Sequence, residues 1–595
     1  MRLSDFVVEY LKTKNINNFF VVTGRGTLFL NDALARAKDL KTYFLHHEQS
    51  AAYAAITTPL INDTMSCCMI STGCASTNTI TGVLSAWQDG VPCLFISGQN
   101  FLNETTNFIK KKIRTYGQQE ADIIKIVKPI TKYSSMIKDS SNIKFELDKA
   151  IFYANEGRKG PVWIDIPLDI QNSRIEEKKL KTFNKKKIIK TSSKQTISKV
   201  NDLINLAKKP VVLIGSGIKF ANAKKEFKKF VEKWKLPVVY TSSSTDIFSS
   251  KNKLNIGSVG SQGCSRAGAF AVQNSDLLLV LSSRLNSLTT GLDFKKFARK
   301  AKIIVIDIDK TEHSKIGIKK DLFLETDVRD FLKKINKTKP KVKWDIWLKK
   351  CTEWKKKFKK LQTIDNENKK SKGLDLYEMS KILSENMSND SVFICDSGFI
   401  DVIMPTNIEF SEKQICVHPV SQGSMGFSLP AIIGAHATNK KNIISVIGDG
   451  SVMMNLQEFQ TIKHYNIPAK IFIINNNVYG IIRKRQKELF RGRSIGTYKL
   501  DGLSCPDFRK VSKSFDIPYK KISTKENFKK EISKILNSKK TIICEIPGKE
   551  NQKYTEISYA KNKFGKIVRR PLEDQKPFLD RDFFLKEMII KPIDQ

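Results

Sequence analysis

Residues 443–481 read IISVIGDGSVMMNLQEFQTIKHYNIPAKIFIINNNVYGI. IISVIGDG is an apolar strand ending in a tight Gly-Asp-Gly turn, SVMMNLQEFQTIKHY has helical spacing, and AKIFIINNN is a second strand ending in asparagines. A strand, turn, helix, strand order predicts a parallel pair, and both strand ends then lie on the sheet edge where α/β folds bind ligands. Asp449 and Asn476 stand at those two ends. Magnesium prefers oxygen ligands and is usually held by one or two carboxylates plus substrate phosphates. Asp449 offers a carboxylate, Asn476 an amide oxygen, and the backbone carbonyl at Val478 a third ligand. Gly448 and Gly450 allow close approach, and the helix start at Ser451 presents free N–H groups to a diphosphate.

Working outward, apolar runs such as PVVLIG (210–215), DLLLVL (276–281) and KIIVID (302–307) alternate with helical patterns. The fold class this predicts is α/β, with doubly wound parallel sheets. Two lysine-rich, apolar-poor stretches, 173–194 and 363–373, divide the 595 residues. The expected units are 1–175, 195–340 and 372–550, followed by a tail, 551–595, that reads as an ordered arm or lid.

The net charge is +43. Its lysines are spread along the chain, as in KKEFKKF (224–230), with no nucleic-acid motif or aromatic-basic interleaving, so solvated helix faces are expected and no nucleic-acid partner. No apolar run reaches the ~18–20 residues of a membrane span. The start, MRLSDFVVEYLKTKN, reads as an amphipathic helix rather than a signal peptide. The ten cysteines form no CxxC pair, which suits a reducing cytoplasm.

The 443–481 segment closely resembles the GDG…NN motif of thiamine-diphosphate enzymes. From about residue 1 to 550 the chain resembles the acetolactate synthase (acetohydroxyacid synthase) large-subunit group. The resemblance implies three doubly wound domains, thiamine diphosphate with Mg2+, and a homodimer or homotetramer. It implies that Glu48, in HHEQ (46–49), contacts the cofactor's aminopyrimidine. A carboxyl there favours the tautomer that removes the thiazolium C2 proton. Gln119, in YGQQEAD (116–122), matches an active-site glutamine near the reacting carbon. Ser424 and Met425, in QGSMGFSLPAIIGA (422–435), match the cofactor-supporting loop, and Ser397 and Gly398, in DSGFID (396–401), the diphosphate segment.

In the middle block GSQG (260–263), SSRLNSLTTG (282–291) and DIDK (307–310) match the family's flavin pattern in part. The resemblance implies FAD, with Arg284 on its diphosphate. Asn286, Ser287 and Leu288 replace the charged residues of that pattern. STGCASTN (71–78) carries Cys74 in place of the family's proline. An aromatic is replaced by Gln118 and a tryptophan by Arg485. Both are expected to line the pocket of the second substrate and favour a polar acceptor.

The activity this implies is decarboxylation of pyruvate, a 2-keto acid, and transfer of the two-carbon unit to a second carbonyl compound, as in branched-chain amino acid biosynthesis. Three alternatives stand beside it. They are transfer to a nucleotide-linked keto-sugar for surface polysaccharide, whose enzymes carry tails similar to this one, a related 2-keto-acid decarboxylase or dione hydrolase, and a binding protein on a dead scaffold.

Overall fold

The computed structural model describes residues 1–109, 111–186, 188–362 and 373–594. Three six-stranded sheets follow one another, and every strand pairing within them is parallel. The first comprises β1 (Asn18–Val22), β2 (Lys41–Phe44), β3 (Cys67–Ile70), β4 (Leu94–Gln99), β5 (Tyr133–Met136) and β6 (Val162–Pro167), in the order β2-β1-β3-β4-β6-β5. The second comprises β7 (Pro210–Ile214), β8 (Val238–Tyr240), β9 (Asn255–Ser258), β10 (Leu277–Leu281), β11 (Lys302–Asp307) and β12 (Leu322–Glu325), ordered β12-β11-β10-β7-β8-β9. The third comprises β13 (Val392–Cys395), β14 (Ile415–Val417), β15 (Ile443–Gly448), β16 (Ala469–Asn475), β17 (Tyr519–Lys521) and β18 (Ile542–Pro547), ordered β14-β13-β15-β16-β18-β17.

The central strands are apolar throughout because helices cover both faces of a parallel sheet. Val211–Ile214 and Leu278–Leu281 are buried along their whole length. The doubly wound expectation holds in all three sheets. The strand order reverses between β1 and β3, between β10 and β7 and between β13 and β15, and the loops beyond the carboxyl ends there are where ligands settle.

The first and third units pack through two helices, Glu48–Asn62 and Ser428–Ala437. Their approach is so close that a Cβ at Gly434 would sit 2.2 Å from the Ala54 carbonyl oxygen. The 173–194 stretch buries Ile175 and Leu180 in the first unit's core. The 363–373 stretch lies outside the described residues except for Gly373, whose φ is +114°.

Residues beyond 551 form an arm. Leu572 and Phe584 are buried in the core of the second unit. A short antiparallel pair, β19 (Tyr559–Lys561) and β20 (Ile567–Arg569), stands on it. Among the described residues no helix is long and apolar enough to cross a membrane.

Candidate active site

β15 delivers Asp449 and β16 delivers Asn476 to one edge, in the register that pairs Gly448 with Ile474. The Asp449 carboxylate, 3% exposed, accepts from the Gly450 N–H at 2.9 Å and the Asn477 N–H at 2.7 Å. Asn477 takes a φ of +55°, and the Asn476 side chain accepts from the Val478 N–H at 3.2 Å. These bonds fold the NNN corner around the aspartate. Burial pushes the Asp449 carboxyl up to about 6, and the backbone N–H groups only partly offset it. A desolvated carboxylate of this kind suits a cation ligand.

A cavity of about 350 Å³ opens over this corner. Of the residues read from sequence, Ser397, Gly398, Met425, Gly448, Asp449, Gly450, Ser451, Asn476 and Val478 all line it. Gly398 has φ +83° and Gly423 φ +59°, and a Cβ at either would meet nothing within 4 Å. Both therefore leave open the space a diphosphate needs. Gly398 also caps the helix Phe399–Asn407, whose free N–H groups favour an anion. The residues present thus fit a metal diphosphate.

Ser424 does not line the cavity. Its hydroxyl lies beside Tyr53 of the helix Glu48–Asn62, so its place is between the units. The predicted helix 451–465 is also broken. It runs as Asp449–Val452 and Glu458–His464, and the fully buried Asn455 lies in the gap. Asn455 donates to the Gly426 carbonyl at 2.9 Å and accepts from Ser50 Oγ at 2.9 Å. Those bonds outweigh helical continuity and tie the cofactor loop to the first unit.

Two further residues were missed. Asp396, fully buried, accepts from the N–H groups of Ser397, Gly426 and Ser428 and so fixes both loops that flank the cavity. Its position directly before Ser397 at a strand end was the available signal. Tyr479 lies so close to Gly450 that a Cβ there would be 2.0 Å from its ring.

Glu48 and Gln119 do not line that cavity. They share the carboxyl edge of the first sheet. Glu48 opens its helix just after β2 and accepts from Asn78 Nδ2 at 2.9 Å. Gln119, at φ +58°, presses its carbonyl against Gly73, where a Cβ would be 2.1 Å away. The segment 71–78, which ends in the short helix Cys74–Asn78, therefore joins the two into a second, separate candidate half-site.

Arg284 lines a cavity of about 550 Å³ at the carboxyl ends of β7, β10 and β11, with Arg158, Ser216, Asp307 and Asp309. Its guanidinium donates to the Gln88 carbonyl and to Ser421 Oγ, both at 2.7 Å, and so also ties the three units together. Arg485 departs from expectation. Its Nη2 is 2.9 Å from Oε2 of Glu556, on the arm, so the protein itself supplies an anionic partner for the charge expected to face the second substrate. Gln118 keeps its place beside the Gln119 half-site and accepts from Arg25.

A sheet edge that presents Asp449, Asn476 and a glycine cradle, on a chain of three parallel-sheet units, defines a thiamine-diphosphate enzyme, and the chain belongs to that family. Residues 1–126 match the thiamine pyrophosphate enzyme N-terminal TPP binding domain, 197–335 the central domain and 396–546 the C-terminal TPP binding domain. Similar curated proteins include the acetolactate synthase large subunit of Haemophilus influenzae, 28% identical over 91% of this chain and 93% of that one. The probable acetolactate synthase large subunit of Methanocaldococcus jannaschii is 29% identical over 92% of each chain. Acetolactate synthase 1, chloroplastic, of Zea mays is 26% identical over 91% of this chain and 85% of its own.

Proposed function

We propose that this chain is an acetolactate-synthase-type transferase, which decarboxylates pyruvate and joins the two-carbon unit to the carbonyl carbon of a second substrate. The observation that carries the reading is the single cavity holding Asp449, Asn476 and the Gly398 cradle, on a chain similar over nine-tenths of its length to acetolactate synthases.

In this reading Asp449, Asn476 and the Val478 carbonyl hold Mg2+. Ser397, Gly398, Gly450 and Ser451 would hold the diphosphate, and Met425 would support the cofactor. Bound thiamine diphosphate supplies a cationic ring that accepts the electron pair released with carbon dioxide. Glu48 holds a proton at the aminopyrimidine, and Asn78 fixes the carboxylate for it. Gln119, held by its backbone, orients the reacting carbonyl.

The Glu48 half-site and the Asp449 cavity lie on different edges of one chain. A homodimer in which each faces the other subunit's complement supports catalysis. FAD fits the 550 Å³ cavity, where Asp307 and Asp309 suit ribose hydroxyls and Arg158 and Arg284 the diphosphate. The reaction has no net redox change, so the flavin's part is structural.

Product analysis with labelled pyruvate and a panel of carbonyl acceptors tests the reading. The expected products carry a new carbon–carbon bond. Acetaldehyde or acetate alone, whatever the acceptor, would replace ligation by simple decarboxylation or dione hydrolysis.

A further inference from the structure

β1 ends in the turn Gly24-Arg25-Gly26, at the carboxyl edge that also carries Glu48 and Gln119. The backbone of this turn is locked. A Cβ at Gly24 would lie 2.5 Å from Ser71 Cβ, and the Gly26 N–H donates to Ser71 Oγ at 2.9 Å. The Gly26 carbonyl accepts from Gln171 Nε2 at 2.6 Å and leaves room at Gly98 only for hydrogen. The Ser71 loop, β4 and the helix Leu168–Asn172 thus hold the turn that presents a single exposed arginine.

Arg25 lacks the acidic partner that several arginines around the cavities have. Arg483 pairs with Glu550, Arg485 with Glu556 and Arg158 with Glu312. Among the described residues Arg25 makes no ion pair, and its one side-chain partner is the neutral carboxamide of Gln118, at 2.6 Å. Gln118 is itself fixed, its carbonyl accepting from Asn100 Nδ2 at 2.9 Å. A guanidinium carries five donors in a rigid fork matched to carboxylate and phosphate. Here Gln118 orients that fork and leaves the rest of its donors open, one residue from Gln119.

We infer that Arg25 anchors an anionic group of the acceptor, either a carboxylate or a phosphate. The inference rests on the two-carbon transfer proposed above and names the acceptor's chemical class. The donor's carboxylate is the wrong occupant. That group leaves as carbon dioxide, and a cation bound to it would stabilise the ground state against the loss of its charge. The acceptor's anion persists unchanged. The electron pair left when the donor's bond to carbon dioxide breaks forms the bond to the acceptor's carbonyl carbon, the carbonyl π pair moves to oxygen and takes up a proton, and the anion held by Arg25 takes no part in the electron balance. Such a contact lowers the acceptor's KM and fixes which face of its carbonyl is presented.

The test compares Arg25→Gln and Arg25→Lys with the native enzyme, using pyruvate and three acceptors. These are 2-ketobutyrate (a carboxylate), glycolaldehyde phosphate (a phosphate) and propanal (uncharged). The expected result is a fall of roughly 10- to 100-fold in kcat/KM for an anionic acceptor relative to propanal in Arg25→Gln, expressed mainly in KM and partly restored in Arg25→Lys. Whichever anionic acceptor shows the larger fall identifies the source of the anion. Saturation-transfer NMR of non-reacting 2-hydroxybutyrate and O-phosphoethanol, read against 1-butanol, reports the same selectivity without turnover. Equal losses for all three acceptors, or a loss confined to the KM of pyruvate as donor with propanal as acceptor, would overturn the inference. If the native enzyme ligates neither these nor a second pyruvate, the proposed reaction itself fails, and the binding measurement still decides the role of Arg25.

Discussion

Arg485 and Glu556 meet at 2.9 Å, and Lys484 reaches the other oxygen of the same carboxylate. Glu556 is 2% exposed and belongs to the arm, while both cations belong to the helix Gly480–Leu489 that follows the metal corner. The arm strand also bonds to the middle unit, Gly263 N–H to Thr555 O at 2.7 Å and Ile557 N–H to Ser261 O at 2.9 Å. One buried carboxylate therefore connects the flavin-side loop to the helix over the cofactor cavity.

Neutralising that carboxylate leaves two cations facing a buried, uncharged side chain, a loss on the order of 1–3 kcal/mol once the partial exposure of the cations is allowed for. Glu556→Gln is expected to raise hydrogen exchange across residues 480–489 and to weaken arm docking. Arg485→Trp leaves Lys484 in place and is expected to change acceptor preference little. Unaltered exchange in Glu556→Gln would show that the arm does not hold this helix.

The strand ends were legible because apolar runs closed by Gly-Asp-Gly or by asparagines admit few other geometries. Asp449 and Asn476 followed directly. The break at Asn455 was not legible, since its partners, Gly426 and Ser50, come from other parts of the chain. The partner of Arg485 was hidden for the same reason. A replaced aromatic says that the pocket wall has changed, but not that Glu556, far along the chain, would claim the new charge. Gln118 likewise showed its polarity in sequence and its partner Arg25 only in the fold.

Asp165 on β6 gives a pH dependence. Burial pushes its carboxyl up to about 7, against hydrogen bonds from Ser97 and Gln99 that lower it. An unfolded aspartate titrates near ~3.9. The folded state therefore holds the proton more tightly, and stability is lost as pH rises from about 4 to about 7, by an order of magnitude of ~4 kcal/mol. Asp165→Asn is expected to gain stability over the native chain at pH 8 and little at pH 4. Parallel urea midpoints for the two proteins across that range would refute the shift.

The purified protein is expected to carry a yellow chromophore released on denaturation, and Asp307→Ala to lose it. The reason is the acidic end of β11 facing the same cavity as Arg158 and Arg284. A colourless preparation with full ligation activity would leave the middle unit as scaffold alone.

Chelation or Asp449→Ala is expected to abolish tight thiamine-diphosphate binding, since the carboxylate is the one charged ligand in the corner. Calorimetry giving native affinity in Asp449→Ala would remove it from the metal site.

Glu48→Gln is expected to bind cofactor with near-native affinity and to slow hydrogen exchange at the thiazolium C2 by orders of magnitude. Mixed with Asp449→Ala, it also tests the arrangement of the half-sites. If Glu48 serves the cavity of the other subunit, a dimer of one Glu48→Gln and one Asp449→Ala chain has one doubly altered site and one intact site. Random pairing makes half of the dimers mixed, and with one of two sites working in each, coexpression should recover roughly a quarter of native activity from two nearly inactive parents. If the half-sites act within one chain, every site carries one lesion and nothing is recovered. The outcome separates the two arrangements without any further structure, because Glu48 and Asp449 lie on different edges of the same chain.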